Sequence, residues 1–168
     1  MKSSYIHYFV EGETEQKLIN VLKTQLKKIK TGKVQKLNVI NEKITDAMLR
    51  ILKKNTVVVL VFDTDTKSVE ILNYNIQKIR SCKAVSKIVT IPQVPNLEAE
   101  LIRSCHLKKI TDLLSSTTAK EFKSDFMRVS NLDTKLLEHG FDIDLLWCTQ
   151  PPAPYQNIAN QAEEIKLH

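Results

Sequence analysis

Two carboxylates separated by one residue follow the most apolar stretch of this chain. Residues 57–62 read VVVLVF, and Asp63 and Asp65 come directly after them. Consecutive apolar residues, mostly β-branched, predict a strand buried on both faces, as in parallel α/β sheets. Side chains two positions apart on an extended segment point the same way, so both carboxylates can face one hard cation. Asp and Thr after a strand are also ordinary turn formers and helix caps, so this pair alone does not identify a metal site.

Another acid occupies an equivalent place earlier in the chain. Residues 5–10, YIHYFV, predict a strand, and Glu11 and Gly12 follow it directly. Apolar residues recur at helical spacing from Thr14 onward, so Glu11 is predicted to lie in a strand-to-helix turn. The carboxyl ends of parallel strands meet at one edge of a sheet, where ligands and catalytic groups collect. The sequence therefore predicts that Glu11 joins Asp63 and Asp65 at that edge.

A further acid is indicated by helical periodicity after Asn96, which is a predicted helix cap. Spacing of i, i+3, i+4 and i+7 connects Glu98, Leu101, Ile102 and Cys105. Three of these four residues are apolar, which predicts that Glu98 lies on the inward stripe. A buried carboxylate is costly unless it is paired or bound to a metal. A Glu in the first helical turn, stabilised by the helix dipole, is the simpler alternative. Glu100 lies on a different face and ranks below Glu98.

These acids are placed by an alternation of strands and helices. Strands are predicted at residues 5–10, 34–40, 56–62 and 85–91, with helices between them at about 14–30, 44–52 and 69–79. This order predicts an α/β fold with a parallel sheet of about four strands and helices on both faces. Only helices are expected later: one carries the apolar residues of 119–129, and a short one at 133–139 ends at Gly140. We therefore divide the chain into a core, residues 1–106, and a helical extension packed on it, residues 107–168, and expect the two to form a single structural unit.

Composition excludes several classes of protein. Three glycines in 168 residues leave no glycine-rich phosphate loop, which argues against P-loop and dinucleotide-binding proteins. The three cysteines lie far apart without zinc spacing, which is typical of a reduced, cytoplasmic protein. No apolar run approaches the ~20 residues of a membrane span, and none suits a signal peptide. A net charge of +6 is a weak indication of a polyanionic partner.

With Glu11-Gly12 after the first strand and Asp63-x-Asp65 after the third, the chain resembles the TOPRIM domain. That family is shared by topoisomerases, primases, ribosomal-RNA maturases and the OLD- and RloB-like nucleases. The resemblance covers residues 5 to about 105 and looks closest to the OLD- and RloB-like branch, whose first motif has the form VEGETE. The glycine that follows the DxD pair in the maturases is absent, and so is the zinc finger of a primase. The resemblance implies a Rossmann-like TOPRIM fold.

The resemblance also implies a nuclease that depends on Mg²⁺ or Mn²⁺, acts on RNA or DNA, and serves in bacterial defence against phage. Carboxylate-held metal supplies a nucleophilic water and stabilises charge on the phosphoryl oxygens. We expect Asp63, Asp65 and Glu11 to hold the principal metal, with Glu11 as an alternative general base. Glu15 and Glu98 would complete a second metal site. Relatives of this branch commonly occur with an AAA/ABC-type ATPase, which here would be a separately encoded partner.

Substrate contacts are expected from both motifs and from the lysine-rich stretch of residues 23–36. The expected residues are Gly12, Lys67, Lys28, Lys30 and Lys33. Lysines in such a stretch would contact the phosphate backbone. A solvated helix face explains the same pattern equally well.

Two other functions compete with the nuclease. The strand followed by FDTDT also resembles the DxDxT motif of haloacid-dehalogenase-type phosphatases, in which the first Asp, here Asp63, is the nucleophile. That motif usually opens its domain, and no acidic pair closes a later predicted strand. The other alternative is a non-catalytic TOPRIM-like module that docks on an ATPase or on nucleic acid, for which metal-independent binding without cleavage is expected.

Overall fold

The computed structural model describes residues 4–168 and shows one sheet of four parallel strands. The strands are β1 (Tyr5–Val10), β2 (Lys33–Lys36), β3 (Thr56–Asp63) and β4 (Val85–Gln93). Their order across the sheet is β2-β1-β3-β4, and every neighbouring pair runs parallel. The predicted α/β class with a parallel four-stranded sheet is confirmed, and the arrangement is consistent with a Rossmann-like fold.

In the described part of the chain six α-helices flank the sheet. They are α1 (Glu13–Thr24), α2 (Asp46–Arg50), α3 (Glu70–Arg80), α4 (Leu97–Ser104), α5 (Ala119–Arg128) and α6 (Leu132–Glu138). Buried residues of α1, α4, α5 and α6 join one apolar cluster, while α2 and α3 pack against a second cluster. Strand β3 supplies both clusters, with Val59 and Val61 on one face and Val58, Leu60 and Phe62 on the other. Because helices cover both faces, this strand is apolar throughout rather than alternating.

Helix α1 ends earlier than the periodicity of Leu26 and Ile29 predicts. It stops at Thr24, and Lys27 adopts a positive φ of 52°, which a helix cannot continue through. Ile29 still reaches the core, because the chain there runs extended and forms an isolated antiparallel bridge with Lys166. The helical spacing of Ile29 therefore indicated correctly that this residue is buried, although it lies in an extended segment and not in a helix.

Strand β2 is shorter than predicted and β4 is longer. After Lys36 the side chain of Asn38 accepts the N–H groups of Ile40 and Asn41, which turns the chain out of the strand. At the other edge, β4 continues through Pro92 to Gln93, where it pairs with the end of β3. A proline is tolerated there because β4 is an edge strand.

Residues 107–168 pack into the same core as the sheet, but only part of this stretch is helical. Phe126, Leu136 and Trp147 are buried in the apolar cluster that contains Tyr8 of β1. Beyond Glu138 the described chain has no α-helix, only a short 3-10 helix at Ala162–Glu164. Within residues 107–168 the α-helices are α5 and α6, with a further 3-10 helix at Ile110–Leu113, so a helical extension throughout is not confirmed.

Residues 159–161 lie along the outer edge of β4. The Thr90 N–H donates to Gln161 Oε1 at 3.0 Å, and the Gln161 N–H donates to the Thr90 carbonyl at 2.9 Å. Exposed edges of sheets invite unwanted pairing, and this segment covers part of that edge. No helix within residues 4–168 combines the length and the apolar character needed to cross a membrane.

Candidate active site

The strand order reverses between the two central strands, β1 and β3. From β1 the chain passes to β2 on one side, whereas β3 leads to β4 on the other side. In open α/β sheets ligands bind outside the carboxyl ends of the strands at such a switch point. Glu11 follows β1 immediately, and Asp63 is the last residue of β3. Both acids therefore stand at the position that the topology favours for a site.

The two acids are in direct contact. The Asp63 backbone N–H donates to Glu11 Oε2 at 3.2 Å. On the other side of Asp63, Gln93 at the end of β4 donates its Nε2 to Asp63 Oδ1 at 2.6 Å. Glu11, Asp63 and Gln93 are thus joined by hydrogen bonds across three neighbouring strand ends.

The electrostatics of this pair show an excess of negative charge. Burial, followed by the nearby Glu11 carboxylate, raises the pKa of Asp63 to about 8, against the opposing hydrogen bond from Gln93. Burial also raises the pKa of Glu11, and the charges of Glu15, Asp65 and Glu98 raise it further. Of the ion pairs formed within residues 4–168, none involves Glu11, Glu15, Asp63 or Asp65. Of the five predicted acids in this region, only Glu98 has a cation partner among the described residues.

Glu15 reaches this region from the first turn of α1. It is 6% exposed and accepts a hydrogen bond from the Thr14 hydroxyl at 3.0 Å. Gly12, the N-cap of α1, leaves the space that Glu15 occupies, since a Cβ at Gly12 would lie 3.3 Å from Glu15 Oε2. The φ of Gly12 is −151°, which any residue can adopt, so its role here is steric.

The prediction that Glu98 occupies the inward stripe of α4 is wrong. The buried face of the helix consists of Leu97, Glu100, Leu101 and Ser104, and the fully buried acid is Glu100. Leu101 lies on both the predicted face and the observed face of the helix. Apolar periodicity counts Glu100 as a polar residue, so it could not indicate that the face with Glu100 is the buried one. Glu98 remains partly exposed, pairs with Lys123 at 3.5 Å, and faces the acidic region closely enough to raise the pKa of Glu11.

The predicted substrate lysines separate into two places. Lys67 lies exposed in the turn after β3, on the same edge as the acids. Lys33 is the first residue of β2 and pairs with His7 of β1. His7 precedes Glu11 by four residues, so Lys33 lies about 13 Å from Glu11 along the strand direction. Lys28 and Lys30 precede Lys33 and contact the C-terminal residues through their backbones. The structure thus brings Lys67 toward the acids and leaves Lys28, Lys30 and Lys33 at the other end of the sheet.

Three residues near the site were missed by sequence reasoning. Lys123 of α5 and Trp147 come from the extension, and no local pattern connects them with the strand ends. Gln93 had a signal, because a polar residue at the end of the fourth predicted strand must lie at the same edge as Glu11 and Asp63.

The donor atoms suit a hard divalent cation, although no complete set of ligands is already gathered. All five acids offer carboxylate oxygens, which Mg²⁺ prefers, and burial together with neighbouring carboxylates raises the pKa of Glu11 and Asp63. Within residues 4–168 no group of three or more His, Cys, Asp and Glu side chains is placed to hold a metal ion. A bound ion would therefore draw ligands from Asp65, Glu15 or Glu98 in addition to Glu11 and Asp63, through side-chain movement.

No protein-family model, curated protein or solved structure matches this chain. The resemblance to the TOPRIM domain rests on the two motifs and on their order among the strands, and it stays a prediction.

Proposed function

We propose that this chain is a metal-dependent nuclease that hydrolyses phosphodiester bonds in RNA or DNA. The observation that best supports this function is the contact of Glu11 with Asp63 at the switch point, where neither acid has a cation partner among the described residues. The order of the Glu-Gly and DxD motifs along the chain agrees with it, and the net charge of +6 suits a polyanionic substrate.

The chain's own residues would divide the work between binding and positioning. Glu11 and Asp63 would hold Mg²⁺ or Mn²⁺, and Asp65, Glu15 and Glu98 would supply further oxygens. A bound ion supplies an activated water and stabilises charge on the phosphoryl oxygens. The Asp63 N–H orients the Glu11 carboxylate, whose raised pKa also suits a general base. Lys67 and Lys123 stand at the same edge and are the cations best placed to contact a phosphate backbone.

Cleavage of labelled RNA and plasmid DNA with Mg²⁺, Mn²⁺ or EDTA tests this function. We expect cutting that requires the metal and that falls by more than about 100-fold in Glu11→Ala and Asp63→Asn, beyond the effect typical of an outer-shell partner. Asp46→Asn is the matched control, because Asp46 is an exposed acid on α2 that pairs with Lys78. Cutting that persists in EDTA or in both site variants would contradict the proposal.

The same preparations separate the alternatives. Binding of nucleic acid without metal and without cleavage would favour the non-catalytic module. A fluoroberyllate adduct on Asp63 with hydrolysis of small phosphomonoesters would favour the phosphatase. On the resemblance alone, we extend the proposal to antiphage defence beside a separately encoded AAA/ABC-type ATPase, and loss of phage protection in Asp63→Asn cells would support that extension.

A further inference from the structure

Gln93 lies directly behind Asp63 and is fully buried. Its Nε2 donates to Asp63 Oδ1 at 2.6 Å, and its Oε1 accepts the indole Nε1–H of Trp147 at 3.3 Å. An indole N–H can only donate, so the carbonyl of the amide must face Trp147 and the NH₂ group must face Asp63. Trp147 therefore determines which end of the amide meets the carboxylate.

Trp147 is itself held from several sides. Its backbone N–H donates to Glu100 Oε2 at 2.8 Å, and its carbonyl accepts Asn160 Nδ2 at 2.8 Å. The side chain is 1% exposed, and φ is 55°, a left-handed conformation that a bulky residue keeps only where its surroundings impose it. The indole consequently presents its donor to Gln93 from a constrained position.

Glu100 connects this arrangement to the strand that carries Gln93. Its Oε1 accepts the N–H of Val94, the residue after Gln93, at 2.9 Å, and lies 2.7 Å from Nη2 of Arg103. Glu100 is fully buried. One carboxylate thus fixes the backbone on both sides of the hydrogen bond between Gln93 and Trp147.

We infer that Gln93 is a positioning residue that Trp147 orients, so that the extension sets the rotation of the Asp63 carboxylate in the metal site. This inference rests on the proposed function. Gln93 occupies Oδ1 of Asp63, whereas Oδ2 has no hydrogen-bond donor among residues 4–168 and is left for a cation. Groups behind a ligand that fix its orientation typically change metal affinity or activity by 10–100-fold when removed.

The single tryptophan allows a test without metal, because the chain gives one indole N–H resonance. We expect Asp63→Asn and Gln93→Met each to shift this resonance in a ¹H–¹⁵N spectrum. Gln35→Met is the matched control, since Gln35 lies on β2 and bonds His7 at 3.0 Å, and it should leave the resonance in place. An indole signal that is the same in the wild type, Asp63→Asn and Gln93→Met would overturn the inference.

Mn²⁺ affinity provides the second readout. We expect Gln93→Met and Trp147→Phe to weaken binding by about 10–100-fold, and Gln35→Met to bind as the wild type does. Unfolding temperatures measured alongside separate this effect from lost stability, since a merely structural role would lower them without changing affinity. Wild-type affinity in both Gln93→Met and Trp147→Phe would overturn this inference and would not contradict the proposed function. A wild type that binds no Mn²⁺ would contradict both the proposed function and the inferred effect of Gln93 on metal affinity. The indole spectra would then still decide whether Trp147 is linked to Asp63 through Gln93.

Discussion

Asp63 is half-buried beside Glu11, and its raised pKa makes the stability of the metal-free protein depend on pH. The ordinary pKa of Asp is about 4, so between about pH 4 and 8 the folded state holds a proton that the unfolded state has released. The free energy of unfolding therefore falls as pH rises through this window, and the loss is complete above about pH 8. In EDTA we expect the unfolding temperature to decline across it, less steeply in Asp63→Asn.

Added Mg²⁺ should restore the unfolding temperature most at the upper end of that window, because the ionised carboxylates then bind the ion. Calorimetry at several pH values, with and without metal, measures both effects. Asp46→Asn should keep the wild-type decline, since the ion pair with Lys78 lowers the pKa of Asp46 rather than raising it. A decline equally steep in Asp63→Asn and the wild type would contradict the assignment.

Glu100 is a fully buried acid whose removal should cost stability. In Glu100→Ala, the N–H groups of Val94 and Trp147 lose their acceptor. The partly buried Arg103 loses its carboxylate partner and keeps the Val94 carbonyl as an acceptor. Breaking a buried ion pair costs 3–5 kcal/mol, and Arg103 keeps a third of its side chain exposed, so we expect a loss of about 3 kcal/mol. Urea unfolding measures it. Glu138→Ala, which breaks an exposed pair with Lys135, should cost at most about 1 kcal/mol, and equal losses would disprove the role of Glu100.

At the scale of the element, the start of α1 combines a tight space with an acid. In Gly12→Ala the new Cβ would meet Glu15 Oε2 at 3.3 Å and push that carboxylate aside by a few tenths of an ångström. The backbone of Gly12 suits alanine, so stability should fall by no more than about 1 kcal/mol, the difference between Gly and Ala as an N-cap.

The expected result for Gly12→Ala is a several-fold weaker Mn²⁺ affinity with nearly unchanged stability, measured by titration and urea unfolding. Glu15→Gln should weaken binding similarly, and the double variant should add little because both changes act on the same carboxylate. Undiminished affinity in Gly12→Ala and Glu15→Gln would remove Glu15 from the site.

Residues 1–106 and 107–168 share one hydrophobic core, so the division at residue 106 does not separate two independently packed units. Phe126, Leu136 and Trp147 share one apolar cluster with Tyr8 and Val10 of β1. A chain of residues 1–106 would expose that face of the sheet, so we expect it to aggregate or to lack a cooperative urea transition. The 168-residue chain serves as the control. A cooperatively folded 1–106 fragment would show that the extension is dispensable for the core.

Local patterns in the sequence are sufficient to predict the α/β class, the four strands and the convergence of Glu11 and Asp63. Apolar runs, helical spacing and the alternation of elements are local patterns, and parallel strands necessarily bring their carboxyl ends to one edge. Residues 5–10 matched β1 to the residue, and Asn96 caps α4 with its side chain as predicted.

Long-range packing determines which acid of α4 is buried, where the lysines lie and which residue contacts Asp63 from behind. Glu100 is buried with Arg103 and the N–H groups of Val94 and Trp147 as its partners, and the contact with Trp147 comes from 47 positions away along the chain. Lys33 is separated from Glu11 by the register of β2 on β1. Trp147 meets Gln93 from 54 positions away along the chain, and such a contact depends on the packing of the extension rather than on any local pattern.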